Sequence, residues 1–66
     1  MTIKLDTVLA IRHARKKTQD EMAASLEISR TSYRNKETGK TKFTADEIGK
    51  LAKELSVSPS KFYEEL

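Results

Sequence analysis

Apolar residues recur at the spacing of an α-helix in successive short stretches of the chain, and no stretch predicts a strand. The clearest example is Ile48, Leu51, Ala52 and Leu55, which lie at i, i+3, i+4 and i+7 and so share one helix face. Five helices are predicted, over about residues 5–16, 19–26, 29–37, 44–55 and 58–63. The pattern therefore predicts an all-α fold.

Two helix starts carry the same local signal, the T-x-x-E spacing of a capping box. It occurs at Thr18 with Glu21 and again at Thr44 with Glu47. In such a box each side chain bonds a free backbone N–H of the other residue, which favours a helix beginning there. Gly39 follows the third predicted helix, and a residue free to take positive φ favours a helix end at that point.

The stretch 19–38 is the most informative part of the chain. Two short helical patterns are separated by a tight break at residues 27–28, and Ser29 then supplies an N-cap for the second. Polar side chains crowd the first two turns of that second helix, namely Arg30, Thr31, Ser32, Arg34 and Asn35. Arginine, serine, threonine and asparagine are the residues that bond base edges in the major groove of DNA. The stretch is therefore interpreted as a helix-turn-helix unit.

Charge is distributed unevenly along the chain, whose net charge is +3. Residues 1–42 hold ten of the thirteen basic residues and five acids, whereas residues 43–66 hold three basic residues and five acids. A segregated positive end favours a polyanion as partner, although solvated helix faces are an equally ordinary cause of charge runs. Its coincidence with the two-helix unit favours double-stranded DNA.

Other classes of chemistry find little support in the composition. The chain has no cysteine, and His13 is its only histidine. We therefore expect no disulfide, no metal site and no cofactor. Enzymatic activity is not expected either. No apolar run approaches the length of a membrane span. We expect one domain over residues 1–66, located in the cytoplasm, with no membrane association and no small-molecule ligand.

The residues resemble the Cro/phage-repressor-like helix-turn-helix regulators, the XRE family, over nearly the whole chain. The shared features are Gln19, Ala23, Leu26, Ile28-Ser29, Tyr33, Lys36-Glu37-x-Gly39-Lys40, Phe43-Thr44 and Leu55-Ser56-Val57-Ser58. The resemblance is most marked to short regulators of Gram-positive bacteria and their phages. It implies a five-helix fold of the lambda-repressor type, with helices 2 and 3 as the DNA-binding unit.

The resemblance also implies roles for particular side chains. The positions facing the major groove are Arg30, Thr31, Ser32 and Asn35. For Arg30, contact with a phosphate is the alternative. The positions along the phosphate backbone are Gln19, Arg34, Lys40, Thr41 and Lys42, of which Arg34 can equally face solvent. Arg12 and Glu37 are implied to form a partly buried ion pair that ties helix 1 to helix 3.

Departures from the family pattern include a missing glycine in the short linker before Gln19 and three other positions. Glu27 stands where the turn between helices 2 and 3 usually has glycine, and lysine stands at positions 17 and 36 where many members have apolar residues. We therefore expect the side chain of Lys36 to snorkel or to face solvent.

The expected function is that of a Cro-like repressor, which binds an inverted-repeat operator as a homodimer. Two copies of helix 3 would then enter successive major grooves about 34–36 Å apart. Phe62 is expected to pack beneath helix 4, and Tyr63 and Leu66 to form the dimer interface. An antitoxin or restriction-system controller of the same fold, or a helical protein-interaction module, is the alternative.

Overall fold

The chain folds into four α-helices followed by one short 3-10 helix, in a computed structural model that describes residues 2–64. The α-helices are α1 (Leu5–Ala14), α2 (Gln19–Leu26), α3 (Arg30–Glu37) and α4 (Ala45–Leu55), and the 3-10 helix is Pro59–Phe62. The predicted all-α class is confirmed. No helix within residues 2–64 is long and apolar enough to cross a membrane.

The starts of α2, α3 and α4 are set by their predicted caps. Thr18 Oγ1 accepts the Glu21 N–H at 3.1 Å, while Glu21 Oε1 accepts the Thr18 N–H at 2.9 Å. Thr44 and Glu47 form the same reciprocal pair at 3.1 and 2.8 Å. Ser29 Oγ caps α3 by accepting the Ser32 N–H at 3.1 Å. Each cap satisfies backbone groups that have no partner inside the helix, so it favours the observed boundary.

One apolar core joins all five elements. Its fully buried side chains include Val8 of α1, Met22 of α2, Tyr33 of α3, Ile48 of α4 and Phe62 of the 3-10 helix. Burying a large apolar side chain stabilises the fold by about 1.5–3 kcal/mol. The core therefore fixes α3 against α1 and α2, with one side of α3 turned inward.

Two expectations about the helices are not confirmed. α1 ends at Ala14 and not at residue 16, because Lys16 takes a left-handed conformation with φ 57°. The five-helix count is not confirmed, because the described residues form four α-helices, and the predicted fifth helix is a four-residue 3-10 turn. Its Lys61 N–H bonds the Ser58 carbonyl at 3.0 Å, the i to i+3 closure of a segment too short for an α-helix.

The break between α2 and α3 depends on a left-handed residue. Glu27 has φ 58° and ψ 39°, in the position where the family usually has glycine. A side chain in that conformation costs roughly 1 kcal/mol relative to glycine. The turn is closed by the Ile28 N–H, which bonds the Ala23 carbonyl at 3.0 Å. The departure at Glu27 therefore leaves the helix-turn-helix geometry in place.

The segment before α1 pairs with the segment after the 3-10 helix. Ile3 and Tyr63 form an isolated antiparallel bridge, flanked by the Lys4 N–H to the Phe62 carbonyl at 2.7 Å. The Glu64 N–H bonds the Thr2 carbonyl at 2.9 Å. This pairing was not predicted, because residues sixty positions apart leave no periodic signal in the sequence.

Candidate nucleic-acid interface

α3 presents a polar face to solvent along its first two turns. The side chains of Arg30, Thr31 and Ser32 are exposed, and that of Asn35 is half-buried one turn further on. Tyr33 points the other way and is fully buried. Residues 30, 31 and 32 occupy the N-terminal turn, where the helix dipole and free N–H groups also favour a nearby anion. The exposed groups are donors and acceptors of the kind that bond base edges.

Ser32 keeps a free donor although it contacts the cap. Ser29 Oγ donates to Ser32 Oγ at 3.0 Å, and it accepts the Ser32 backbone N–H. The Ser32 hydroxyl thus acts as an acceptor toward Ser29, and its own proton remains available. An exposed hydroxyl in this state can donate to a base or a phosphate oxygen.

Within residues 2–64, Arg30 has only a loose partner. Its Nε lies 3.8 Å from Asp20 Oδ1, and the two side chains are 65% and 70% exposed. An exposed pair at this distance is strongly screened by water and contributes little. The guanidinium is therefore free to leave Asp20 for a ligand.

The inward face of α3 is held by a buried polar network centred on the Glu37 carboxylate. Arg12 donates to it twice, from Nε to Oε2 at 2.8 Å and from Nη2 to Oε1 at 3.1 Å. The Tyr33 hydroxyl donates to Oε2 at 2.6 Å, and Gln19 Nε2 donates to Oε1 at 3.1 Å. Arg12 Nη1 also donates to the Lys17 carbonyl at 2.9 Å. Residues of α1, α2 and α3 thus converge on one carboxylate.

The charge state of the network follows from these contacts. Burial of the Glu37 carboxyl tends to raise its pKa, but hydrogen bonds from Arg12, Tyr33 and Gln19 outweigh burial and lower the pKa below 4.5. Burial and the hydrogen bond to Glu37 raise the pKa of the Tyr33 hydroxyl well above its ordinary value. At neutral pH Glu37 is therefore ionised, and Tyr33 remains a donor.

The basic loop of residues 40–42 is separated from the end of α3 by Thr38 and Gly39. Gly39, with φ 90°, reverses the chain direction, and a Cβ there would lie 3.3 Å from the Leu5 side chain. Lys40, Thr41 and Lys42 are all exposed. The Thr41 N–H bonds the Asn35 carbonyl at 3.2 Å, so the loop is joined to the turn of α3 that carries Asn35.

Comparison with known proteins agrees with this geometry. A family model described as Helix-turn-helix matches residues 8–62, which is most of the chain. The chain belongs to the XRE helix-turn-helix family. This XRE-family protein is accordingly a DNA-binding transcription regulator. No curated protein and no solved structure matches it.

Within this XRE-family protein, the expected site residues are brought together in part. The predicted base-reading positions lie on α3, and the loop of residues 40–42 is joined to α3 by the hydrogen bond from the Thr41 N–H to the Asn35 carbonyl. Arg34 is also exposed. Gln19 was expected at a phosphate, yet its amide donates to Glu37, which leaves its second N–H for any further partner. Tyr63 is half-buried, and Leu66 lies outside the described residues.

The hydrogen-bond partners of two side chains of α3, Tyr33 and Lys36, were not predicted from the sequence. The hydroxyl of Tyr33 was not foreseen as a donor to Glu37, although their i, i+4 spacing places them on one helix face. The partners of Lys36 were not foreseen either. Its Nζ lies 2.9 Å from Glu47 Oε1 and 3.0 Å from the Lys42 carbonyl oxygen.

Proposed function

We propose that this regulator recognises a specific sequence in double-stranded DNA by placing α3 in the major groove. The observation that carries the proposal is the contrast within α3, where Arg30, Thr31 and Ser32 are exposed while Glu37 is held by four hydrogen bonds. A helix held firmly on one face, with solvent-exposed polar groups on the other, suits direct readout of base edges.

Base reading is assigned to the exposed face of α3. Arg30 is suited to a bidentate pair of bonds with guanine O6 and N7, and Asn35 to the same with adenine N6 and N7. The Thr31 methyl would contact a thymine methyl, and Ser32 would use its free hydroxyl proton. The loose ion pair between Arg30 and Asp20 supports this assignment, because little is lost when the guanidinium moves to DNA.

Phosphate binding is assigned to groups flanking that face. Lys40, Thr41 and Lys42 would follow one strand's backbone from the loop, and Arg34 would reach it from the side of α3. Gln19 would use the amide N–H that Glu37 leaves free. Contacts of this kind set the register of α3 on the duplex without reading sequence.

A homodimer on an inverted repeat is proposed as the binding form. Two copies of α3, spaced by one turn of the DNA duplex or about 34–36 Å, would enter successive major grooves. The dimer contact is assigned to Tyr63, whose side chain is only half-buried, and to Leu66. Acting in the cytoplasm without enzymatic activity, the protein would repress by occupying its operator, as its resemblance to Cro implies.

Selection of bound duplexes from a random pool tests this proposal. We expect a winning sequence with two-fold symmetry, bound roughly a thousandfold or more tighter than random DNA at physiological salt. The logarithm of the binding constant should fall linearly with the logarithm of the salt concentration, because phosphate contacts release counterions. Enrichment of no sequence at all would contradict the proposed function, and enrichment of an asymmetric site would contradict the dimer.

A further inference from the structure

Lys36 lies in the last turn of α3, but it is poorly placed to touch DNA itself. Its side chain is only 16% exposed, and its ammonium is directed at two groups of the protein. Glu47 Oε1 lies 2.9 Å away, and the Lys42 carbonyl oxygen accepts a hydrogen bond at 3.0 Å. An ammonium held between a carboxylate and a carbonyl has most of its donor capacity occupied.

The acidic partner of Lys36 is itself fixed. Glu47 is the third residue of α4, and its Oε1 also accepts the Thr44 N–H at 2.8 Å within the capping box. Burial tends to raise the pKa of Glu47, but the hydrogen bonds from Thr44 and Lys36 outweigh burial and lower it. Lys36 thus joins the end of α3 to the well-anchored start of α4.

The other partner of Lys36 belongs to the basic loop. Two further contacts lie on either side of this bond: the Thr41 N–H bonds the Asn35 carbonyl at 3.2 Å, and the ring of Phe43, the residue after the loop, packs against Tyr33 with centroids 6.0 Å apart. The Lys36 bond falls between them, at the carbonyl of Lys42. It therefore fixes the backbone that carries the exposed lysines of the loop.

We infer that Lys36 is a positioning residue, which holds the loop of residues 40–42 in register with α3 so that phosphate contacts and base contacts are made together. This inference rests on the proposed function. It explains a lysine at a position where many family members have an apolar residue: the stem of Lys36 is buried, while its ammonium bonds the loop carbonyl.

The test compares Lys36→Met, which keeps the stem and removes the ammonium, with Lys50→Met, which removes the same charge from an exposed site on α4. Lys36→Met should lower affinity for the selected duplex roughly five- to tenfold, within the range of coupled contacts. Lys50→Met should change it less than about twofold, as expected of a single distant charge. Equal effects of the two variants would overturn the inference.

A double-mutant cycle separates positioning from direct contact. If Lys36 acts through the loop, Lys42→Ala should cost much less affinity in the Lys36→Met background than in the wild type. Strictly additive losses would mean that Lys36 touches DNA independently, which contradicts the inference. Lys36→Arg keeps the positive charge and the hydrogen-bond donors. It should bind the selected duplex nearly as tightly as the wild type, and this can be measured even if Lys36→Met proves too unstable.

Amide exchange in the free protein keeps this inference distinct from the proposed function. The Thr41 N–H should exchange faster in Lys36→Met than in Lys50→Met, because the loop is held less firmly. Unchanged exchange would overturn the positioning role even if DNA binds. Failure of the wild-type protein to prefer any duplex would instead overturn the proposed function.

Discussion

The two faces of α3 differ in how firmly their side chains are held. On the inward face, Tyr33 is fully buried and Glu37 accepts four hydrogen bonds from α1, α2 and α3. On the outward face, Arg30 makes a screened contact with Asp20, and Thr31 is exposed. A single eight-residue helix thus has one side fixed by the protein and the other available to a ligand.

This difference separates stability from recognition within one helix. Too short to be stable alone, α3 depends on its inward contacts for both existence and orientation. Its outward residues contribute little to stability, so they can differ in type according to the DNA sequence that is bound. Substitutions on the inward face should therefore lower the free energy of unfolding, and those on the outward face should change base preference.

The largest effect is expected from breaking the buried ion pair. Arg12→Met leaves the Glu37 carboxylate buried without its main partner, which should lower the free energy of unfolding by about 3–5 kcal/mol. Urea denaturation followed by circular dichroism at low temperature measures the loss. Arg12→Met with Glu37→Met removes both charges and should recover part of the loss, because the Tyr33 hydroxyl then lacks its acceptor. A single variant losing less than about 1 kcal/mol would show that the pair does not fix α3.

A smaller loss is expected from the Tyr33 hydroxyl. Tyr33→Phe removes one hydrogen bond to a charged group and should cost about 1.5–3 kcal/mol of unfolding free energy. Tyr63→Phe, at a half-buried position, is the matched control and should change stability by less than about 0.5 kcal/mol. If Tyr33→Phe altered base preference at full stability, the inward face would have a direct part in recognition.

The outward face should respond in the opposite manner. Asn35→Ala should lose about 1–3 kcal/mol of discrimination at one base pair, because a bidentate contact is removed. Its unfolding free energy should shift by less than about 0.5 kcal/mol. Competition titrations with single-base variants of the selected duplex measure the discrimination. An equal loss on every duplex would mean that Asn35 contacts only the backbone.

Acidification should weaken the inward face gradually. Because the pKa of Glu37 is lowered in the folded state, its contribution is complete above the ordinary value of 4.5 and is lost as pH falls through the lowered pKa. The melting temperature should therefore decline below about pH 4.5, and Glu37→Gln should show a shallower decline. Parallel curves for the two proteins would indicate that other carboxyls cause the acid transition.

Local chemistry explains why much of the fold was predictable. The two capping boxes and the Ser29 cap act within three residues, so the starts of α2, α3 and α4 can be recognised from sequence alone. Helix ends were harder, because nothing in the residue type announces the left-handed conformation of Lys16. The prediction of a fifth α-helix was not confirmed, because an N-cap residue and a proline can begin either an α-helix or a 3-10 helix.

Contacts between distant residues explain what could not be predicted about the site. Gln19 and Lys36 each have several possible uses in sequence, and only the folded chain brings Glu37 beside one and Glu47 beside the other. The pairing of Ile3 with Tyr63 is of the same kind. Contacts between residues far apart in the sequence are thus the ones that a sequence pattern leaves undetermined.

Amide chemical-shift mapping on the selected duplex tests the central claim most directly. We expect perturbations to concentrate at Arg30, Thr31, Ser32 and Asn35 and in the loop of residues 40–42, with the exposed lysines of α4 unaffected. Perturbations concentrated on α4, with Arg30 and Asn35 unchanged, would show that DNA binds elsewhere and would contradict the assignment of α3 as the reading helix.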